Sequence, residues 1–195
     1  NVFTAGVVVK IDIVELGVVS SKFPLIVLPI VAPAPTGRRF TIAFLIIFAS
    51  FTGPYNIPLR IKYLINNINL TSKNKPKNNK ILKGLKILDL GCGGGLICEP
   101  LARLGAKITG VDFVKENIKV ARQHAKKSNL NIEYLIQDLS SMKLKRKYDI
   151  ILMLEIIEHT NDWKDVINNA ISHLEPNGKL IISSINKTIL SKFFA

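Results

Sequence analysis

The sequence contains few cysteines, few acidic residues and few aromatic side chains, and each shortage excludes a class of protein. Its two cysteines are Cys92 and Cys98, too few for a disulfide framework or a paired zinc motif, and they fit a reducing compartment. The 14 acidic residues are outnumbered by 27 lysines and arginines, which gives a formal net charge of +13 and suits an anionic partner. Aromatic residues are scarce and are not interleaved with the scattered basic residues, so we expect no nucleic-acid partner.

The chain also lacks an unbroken apolar run long enough to cross a membrane. Prolines and the pair Arg38 and Arg39 interrupt the apolar stretches of the first 53 residues, and neither stretch approaches the roughly 18–20 residues of a transmembrane helix. These stretches lie too far inside the chain, and without a charged leader, to resemble a secretory signal. We interpret residues 1–53 as an irregular hydrophobic extension of uncertain origin, without a sustained helical or strand period.

Residues 54–79 are interpreted as a helix ahead of the main domain, followed by a lysine-rich linker. The sequence TSKNKPKNNK at residues 71–80 is polar and interrupted by Pro76, which is the composition of a solvated linker. The alternative is a basic patch for lipid phosphate or nucleic acid, but charge runs more often only solvate a chain.

Regular patterns begin at residue 80. Short apolar runs predict strands, and amphipathic stretches between them predict helices. The predicted strands are residues 86–90, 107–111, 132–136, 148–154 and 179–184. Alternating strands and helices predict an α/β fold with a parallel sheet and helices on both faces.

The segment ILDLGCGGG predicts a nucleoside site at the end of the first of these strands. Glycines such as Gly91, Gly93 and Gly95 let the backbone turn sharply and approach a ligand, and the following helix start offers unpaired N–H groups. Asp112 lies at the end of the next strand, 112 − 91 = 21 residues beyond Gly91, where a carboxylate can accept both ribose hydroxyls.

Asp89 distinguishes this motif from a dinucleotide site. The spacing is D-x-G-x-G-x-G rather than G-x-G-x-x-G. A carboxylate at Asp89 would repel a pyrophosphate, but it could hold a cationic amino-acid group directly or through water. The pattern therefore favours S-adenosylmethionine over NAD.

Three segments together resemble one family. The runs LDLGCGGGLICEPLARLGAKITGVD, LEIIEHTNDW and LIISSINKT are similar to the ubiquinone biosynthesis O-methyltransferases, and PLRIKYL at 58–64 resembles more weakly the segment ahead of the family's domain. The resemblance implies a Rossmann-like class I methyltransferase at residues 80–195 that methylates catechol hydroxyls of polyprenyl precursors with S-adenosylmethionine. The alternatives are another small-molecule acceptor and an inactive cofactor-binding remnant.

The resemblance also implies roles for individual residues. It assigns cofactor contacts to Arg60 near the methionine carboxylate, to Gly91 in the loop, to Asp112 at the ribose and to Leu154 at a strand end. Asp138 stands where class I enzymes often contact the adenine amino group, and the alternative for Asp138 is an ordinary turn residue.

The E-x-x-E-H motif of Glu155, Glu158 and His159 carries the chemistry that the resemblance implies. Related enzymes are described as binding magnesium through these positions, and hard oxygen ligands suit Mg²⁺ while leaving room for two catechol oxygens. His159, or a metal-bound phenolate held by the three residues, is the predicted means of removing the phenolic proton. The alternative is that the acids merely favour a helix start and His159 packs locally.

Both ends of the chain depart from the family pattern. Upstream of Asn56 the hydrophobic sequence has the character of unrelated or out-of-frame sequence, and the first residue is Asn1 rather than methionine, so we expect a fragment or processed product. The sequence stops at Ala195, where the resemblance implies more helix and two further strands. We therefore expect a sheet without its last strands, an exposed edge at residues 179–184, and cofactor motifs that are intact in a chain of doubtful activity.

The implied partners follow from a prenylated substrate. A polyprenyl catechol resides in the bilayer, and a basic chain can attach loosely to an anionic membrane surface. We expect a cytoplasmic protein that is peripheral on the inner membrane, in contact with the membrane or with other ubiquinone-synthesis proteins.

Overall fold

The computed structural model describes residues 26–33, 39–46, 57–69 and 80–184. These residues form seven strands, four α-helices and one short 3-10 helix. The strands are β1 (Ile26–Pro33), β2 (Arg39–Ile46), β3 (Lys86–Leu90), β4 (Lys107–Asp112), β5 (Glu133–Ile136), β6 (Tyr148–Leu154) and β7 (Leu174–Ser184). The helices are α1 (Ile57–Asn69), α2 (Cys98–Arg103), α3 (Lys115–Lys127) and α4 (Trp163–Ser172), and the 3-10 helix is Ile157–His159.

The strands form one sheet in the order β1-β2-β7-β6-β3-β4-β5. The five strands from β7 to β5 pair in parallel, which confirms the parallel α/β sheet and its five predicted strands. Strand β7 begins at Leu174 rather than at residue 179, and its pairing with β6 shifts register between Tyr148 and Ile150. Pro176 and Gly178 fall in this irregular part, where a bulge tolerates both residue types.

Two predictions are wrong: that residues 1–53 lack regular strands, and that residues 179–184 form an exposed edge. Residues 26–33 and 39–46 are regular strands, and β2 pairs in parallel with β7 while β1 pairs antiparallel with β2. The last predicted strand is therefore covered and is not an exposed edge. Pro29 and Pro33 argued against a strand, because proline is excluded from central strands. It is tolerated in an edge strand such as β1.

Helices cover both faces of the central sheet. On one face, Val166 and Ala170 of α4 belong to the same buried cluster as alternate residues of β3, including Leu88 and Leu90. On the other face, α1, α2 and α3 pack over Ile87 and its neighbours. This double burial explains why the central strands read as continuous apolar runs.

The amphipathic helices bury the residues that their spacing predicts. The apolar stripe of α3, formed by Ile118, Ala121 and Ala125, is buried, as the helical period predicts. Helix α1 buries Leu64 and Ile68 against the same face of the sheet. This packing brings α1 onto the domain that begins at residue 80, although residues 70–79, most of the predicted linker, lie outside the described residues.

Candidate functional site

The glycine loop after β3 folds back onto β4. The N–H groups of Gly91 and Cys92 both donate to the carbonyl oxygen of Val111, at 2.7 and 3.1 Å. Gly91, Gly93 and Gly95 have φ values of +69°, +52° and +86°, which are left-handed conformations that glycine adopts without a steric penalty. The predicted sharp turn is confirmed.

The three left-handed glycines differ in what surrounds them. A Cβ on Gly91 would lie 1.7 Å from Cδ1 of Ile156, and a Cβ on Gly95 would lie 2.3 Å from the hydroxyl oxygen of Tyr134. A Cβ on Gly93 would meet no atom within 4 Å. Gly91 and Gly95 therefore permit packing inside the protein, whereas Gly93 leaves open space into which a ligand can fit.

Asp112 lies directly beside this open space. Its Oδ2 accepts the N–H of Gly93 at 2.9 Å, and its Oδ1 accepts the N–H of Val114 at 2.8 Å. Each carboxylate oxygen retains capacity for a second hydrogen bond, so a diol such as a ribose could bind across both. The structure thus joins the loop and the acid that the sequence placed in adjacent turns.

Phe113 is a candidate residue that the sequence reasoning missed. Its side chain is 72% exposed immediately after Asp112, and an exposed aromatic ring offers a flat surface for stacking on a heterocycle. The sequence feature that could have identified Phe113 is its position directly after Asp112.

Asp89 is buried and accepts a hydrogen bond from a thiol. Its side chain is only 3% exposed, and its Oδ2 accepts a hydrogen bond from the Cys98 thiol at 3.1 Å. Burial raises the pKa of Asp89 to about 7, the Cys98 hydrogen bond opposes that rise, and the charge of Asp112 adds to it. The carboxyl is therefore partly protonated at neutral pH, and its contact with a cationic ligand stays a prediction.

Arg60 reaches the carboxyl end of β6 from α1. Its guanidinium forms an ion pair with Oε1 of Glu155, and the two side chains are 19% and 17% exposed. Glu155 itself adopts a left-handed φ of +58°, and its N–H donates to the carbonyl of Ser183 at 2.9 Å. The structure therefore unites two predicted residues that are far apart in the sequence.

The described side chains do not assemble a magnesium site. No group of three or more His, Cys, Asp or Glu residues suited to a metal occurs in the described part of the chain. Glu155 is already engaged by Arg60, and the side chain of Glu158 lies outside the described residues. We assign no chemical step to a metal.

His159 and Leu154 flank this ion pair in the sequence. His159 ends the 3-10 helix, where its N–H donates to the carbonyl of Ile156 at 2.9 Å, and its side chain is exposed. Leu154 is half-buried at the end of β6, opposite Ser183. An exposed imidazole near the carboxyl ends of the strands is available to a substrate, since open parallel sheets bind ligands at the carboxyl ends of their strands.

Asp138 closes a local turn. Its Oδ1 accepts both the N–H and the hydroxyl of Ser140, and these hydrogen bonds lower the pKa of the Asp138 carboxyl. The neighbouring N–H of Gln137 donates to the carbonyl of Asp112 at 3.2 Å, so the turn lies next to Asp112. These bonds match the turn-residue alternative, and a contact with adenine stays a prediction.

Comparisons with known protein families support the resemblance. Residues 81–194 match a family described as a methyltransferase domain. The ubiquinone biosynthesis O-methyltransferase of Pelagibacter ubique (strain HTCC1062) is 45% identical over 138 residues, which cover 71% of this chain and 57% of that protein. The enzyme of the same name from Chelativorans sp. (strain BNC1) is 40% identical over 133 residues, which cover 68% of this chain and 53% of that protein. The resemblance predicted from the motifs is confirmed.

Solved structures support the fold. A coclaurine N-methyltransferase bound to N-methylheliamine and SAH aligns with a TM-score of 0.56 at 20% identity, over 68% of this chain and 37% of that one. An S-adenosylmethionine-dependent methyltransferase from Clostridium acetobutylicum aligns with a TM-score of 0.55 at 22% identity, over 66% of this chain and 50% of that one. The Rossmann-like class I fold is confirmed.

The matches cover only part of each related protein. The chain spans about half the length of the curated relatives that it matches. None of the helices in the described part of the chain combines the length and hydropathy of a transmembrane span.

Proposed function

This chain belongs to the methyltransferase-domain family, and from that membership we propose that it binds S-adenosylmethionine and methylates a catechol hydroxyl of a polyprenyl precursor in ubiquinone biosynthesis. The pathway and the O-methyl transfer come from the names of the curated relatives, the polyprenyl catechol acceptor comes from the motif resemblance, and the cofactor comes from the geometry of the glycine loop. One observation carries the cofactor assignment. The space beside Gly93 is open, and the N–H of Gly93 donates a 2.9 Å hydrogen bond to the Asp112 carboxylate that adjoins this space.

The residues present fit the nucleoside half of this cofactor. Asp112 would accept the two ribose hydroxyls, since both of its oxygens are oriented by main-chain N–H groups. Phe113 would stack on the adenine ring, and the Gly93 backbone would contact the sugar or the chain beyond it. A side chain at Gly93 would fill this space.

Arg60 would hold the methionine carboxylate. A guanidinium binds a carboxylate through two parallel hydrogen bonds, and Arg60 already holds the carboxylate of Glu155 at the carboxyl edge of β6. In this proposal the cofactor's carboxylate either shares the Arg60 guanidinium with Glu155 or displaces Glu155 from it. The ion pair keeps the guanidinium oriented before the cofactor binds.

The chain's part in catalysis is alignment and proton removal. Bound S-adenosylmethionine supplies a methyl group that is already activated by the sulfonium charge. Arg60 and Asp112 would hold this cofactor, which would transfer its methyl group to the hydroxyl oxygen of the acceptor and keep the electron pair of the methyl–sulfur bond on sulfur. His159 accepts the proton that the hydroxyl loses, and positioning of the two reactants supplies most of the rate enhancement.

Binding of S-adenosylhomocysteine tests the cofactor assignment. Asp112→Asn should weaken calorimetric binding by at least about tenfold, because it removes a charge-assisted acceptor from the ribose. Asp165→Asn is the matched control, since Asp165 is exposed on α4 and should bind normally. Equal affinities in the two variants, or no binding by the unchanged protein, would contradict the proposal.

A panel of acceptors tests the substrate. Turnover with a prenylated catechol and none with a simple phenol would support the proposed reaction. Turnover with other small acceptors would favour the broader methyltransferase alternative, and cofactor binding without any turnover would favour a cofactor-binding remnant.

We also propose peripheral attachment to an anionic membrane. The formal charge of +13 and the prenyl tail of the proposed substrate support this location, as they support contact with other ubiquinone-synthesis proteins. Sedimentation with anionic liposomes at low salt tests the membrane contact, and its absence there would refute it.

A further inference from the structure

A cavity lies at the amino-terminal end of the parallel strands, the opposite end from the glycine loop. It has a volume of about 770 Å³ and is lined by residues at the amino ends of the parallel strands, including Lys86, Lys107, Glu133 and Tyr148. Because Asp112 and the glycine loop follow the carboxyl ends of the same strands, this cavity is separate from the proposed cofactor site. Its volume is that of an ordinary small-molecule pocket, about 300–1,000 Å³.

The charged lining of the cavity is predominantly positive. Lys86, Lys107 and Arg146 face one acidic residue, Glu133. Both carboxylate oxygens of Glu133 are occupied, Oε1 by Arg146 at 3.0 Å and Oε2 by the Thr109 hydroxyl at 3.0 Å. The acid is therefore already compensated, and the remaining lining attracts an anion.

Lys107 supplies the uncompensated charge. Lys86 pairs with Glu175 at 3.2 Å, whereas no acidic partner for Lys107 occurs within the described ranges. Lys107 is exposed at the first position of β4, so its ammonium can move to meet a ligand in the cavity.

Tyr148 adds an unused hydrogen-bond donor. Its side chain is 1% exposed, and its buried hydroxyl has no hydrogen-bond partner of normal geometry among residues 26–33, 39–46, 57–69 and 80–184. Burial raises the pKa of this phenol, while the nearby Thr109 hydroxyl and the charge of Arg146, both from residues that line the same cavity, lower it. Native proteins rarely leave a buried hydroxyl without a partner, so each such group requires an explanation.

We propose that this cavity binds a phosphate group, held by Lys107 and Arg146 and by the hydroxyl of Tyr148. A phosphate has several strong acceptor oxygens and can satisfy a guanidinium, an ammonium and a neutral donor at once. The same chemistry is present in a soluble phosphate ester and in a phospholipid headgroup, and the volume accommodates an organic portion beside the phosphate.

Calorimetric titration of the full chain with pyrophosphate and inorganic phosphate at constant ionic strength tests the site. Saturable binding is expected, and Lys107→Gln should weaken it by about tenfold. Lys119→Gln is the control, because Lys119 is an exposed lysine on α3 that does not line the cavity. No saturable binding, or equal weakening by both variants, would overturn the proposal.

Tyr148→Phe provides a second, independent measurement. It keeps the ring and removes only the hydroxyl, so it should weaken phosphate binding by roughly threefold or more. Without phosphate, the variant should melt at the same or a higher temperature, because an unpaired buried donor has been removed. Unchanged phosphate affinity in this folded variant would remove Tyr148 from the site and contradict the proposal as stated.

Vesicles distinguish the two sources of phosphate. Sedimentation with phosphatidylglycerol vesicles that is reduced in Lys107→Gln but not in Lys119→Gln would assign a lipid headgroup. Binding of free pyrophosphate without this difference in sedimentation would assign a soluble phosphate ester. Saturating S-adenosylhomocysteine should change neither result, so failure of the cofactor assignment and failure of this site are separable.

Discussion

Replacing Gly91 with alanine should destabilise the protein by about 3 kcal/mol through two physical effects. The left-handed φ of +69° costs a residue with a Cβ about 1–2 kcal/mol. The new Cβ would also lie 1.7 Å from Cδ1 and 2.9 Å from Cγ1 of Ile156, and relieving such overpacking costs about 1–3 kcal/mol. In a chain of 195 residues this loss corresponds to a fall in Tm of roughly 6–12 °C.

Urea denaturation of a double-mutant cycle separates the two effects. In an Ile156→Ala background the clash is gone, so Gly91→Ala should cost only the conformational term of about 1–2 kcal/mol. Gly93→Ala is the second control, because φ is +52° and no atom lies within 4 Å of the new Cβ. Gly93→Ala should lower the free energy of unfolding by the same conformational term of about 1–2 kcal/mol. It should nevertheless weaken S-adenosylhomocysteine binding by at least about tenfold, because the new side chain fills the open space at Gly93.

The decisive result is the coupling between Gly91 and Ile156. If Gly91→Ala costs the same free energy in both backgrounds, Ile156 does not pack against the loop and the packing role of Gly91 is wrong. If Gly93→Ala binds S-adenosylhomocysteine normally, the open space at Gly93 is not the cofactor cradle.

Three further predictions concern the charged residues of the site. Arg60→Gln and Glu155→Gln should each destabilise the protein, with a coupling of about 1–2 kcal/mol in urea denaturation because each leaves a largely buried partner unpaired, and additive losses would show that the ion pair contributes nothing. The raised pKa of Asp89, about 7 against 3.8, means that between these values the folded state keeps a proton that the unfolded state has lost. The free energy of unfolding should therefore fall as pH rises from about 4 to 7, by an amount on the order of 4 kcal/mol. Denaturation at several pH values should show this slope in the unchanged protein but not in Asp89→Asn, and equal slopes would refute the assignment. His159→Ala should sharply reduce methyl transfer while S-adenosylhomocysteine affinity stays within about twofold, whereas parallel loss of both would mean that His159 supports the fold of the site.

The central sheet was predictable because its signal is local. Strands buried on both faces have continuous apolar runs, and the glycines after β3 and Asp112 after β4 stand at spacings that fix adjacent turns. The pairing of β2 with β7 is not local, since it joins residues 41–46 to residues 179–184. The pattern of apolar residues within either segment does not indicate which strand it pairs with. The prolines of β1 argued against a strand there, because proline is tolerated in a strand only at an edge of the sheet.

The site was predictable by residue type but not by contact. The resemblance assigned Arg60 to the methionine carboxylate and Glu155 to catalysis and metal binding, yet it could not show that they pair with each other. It identified Asp89 by its spacing, yet the burial that raises its pKa depends on the packing of α2 over β3. Environment, rather than residue identity, therefore separates the two acids beside the loop. Both carboxyls are buried, but Asp112 accepts two main-chain N–H groups, whereas Asp89 accepts a hydrogen bond from the Cys98 thiol.

The topology also separates the proposed cofactor site from the strands that sequence reasoning missed. The glycine loop and Asp112 follow β3 and β4, and β6 and β7 stand between β3 and β2. Within the sheet β2 is therefore two strands away from β3, whereas Ile156, which follows β6, lies directly against Gly91 of the loop. The cofactor geometry consequently depends on the β6-β3-β4 core. The pairing of β2 with β7 instead satisfies main-chain N–H and C=O groups along that side of β7.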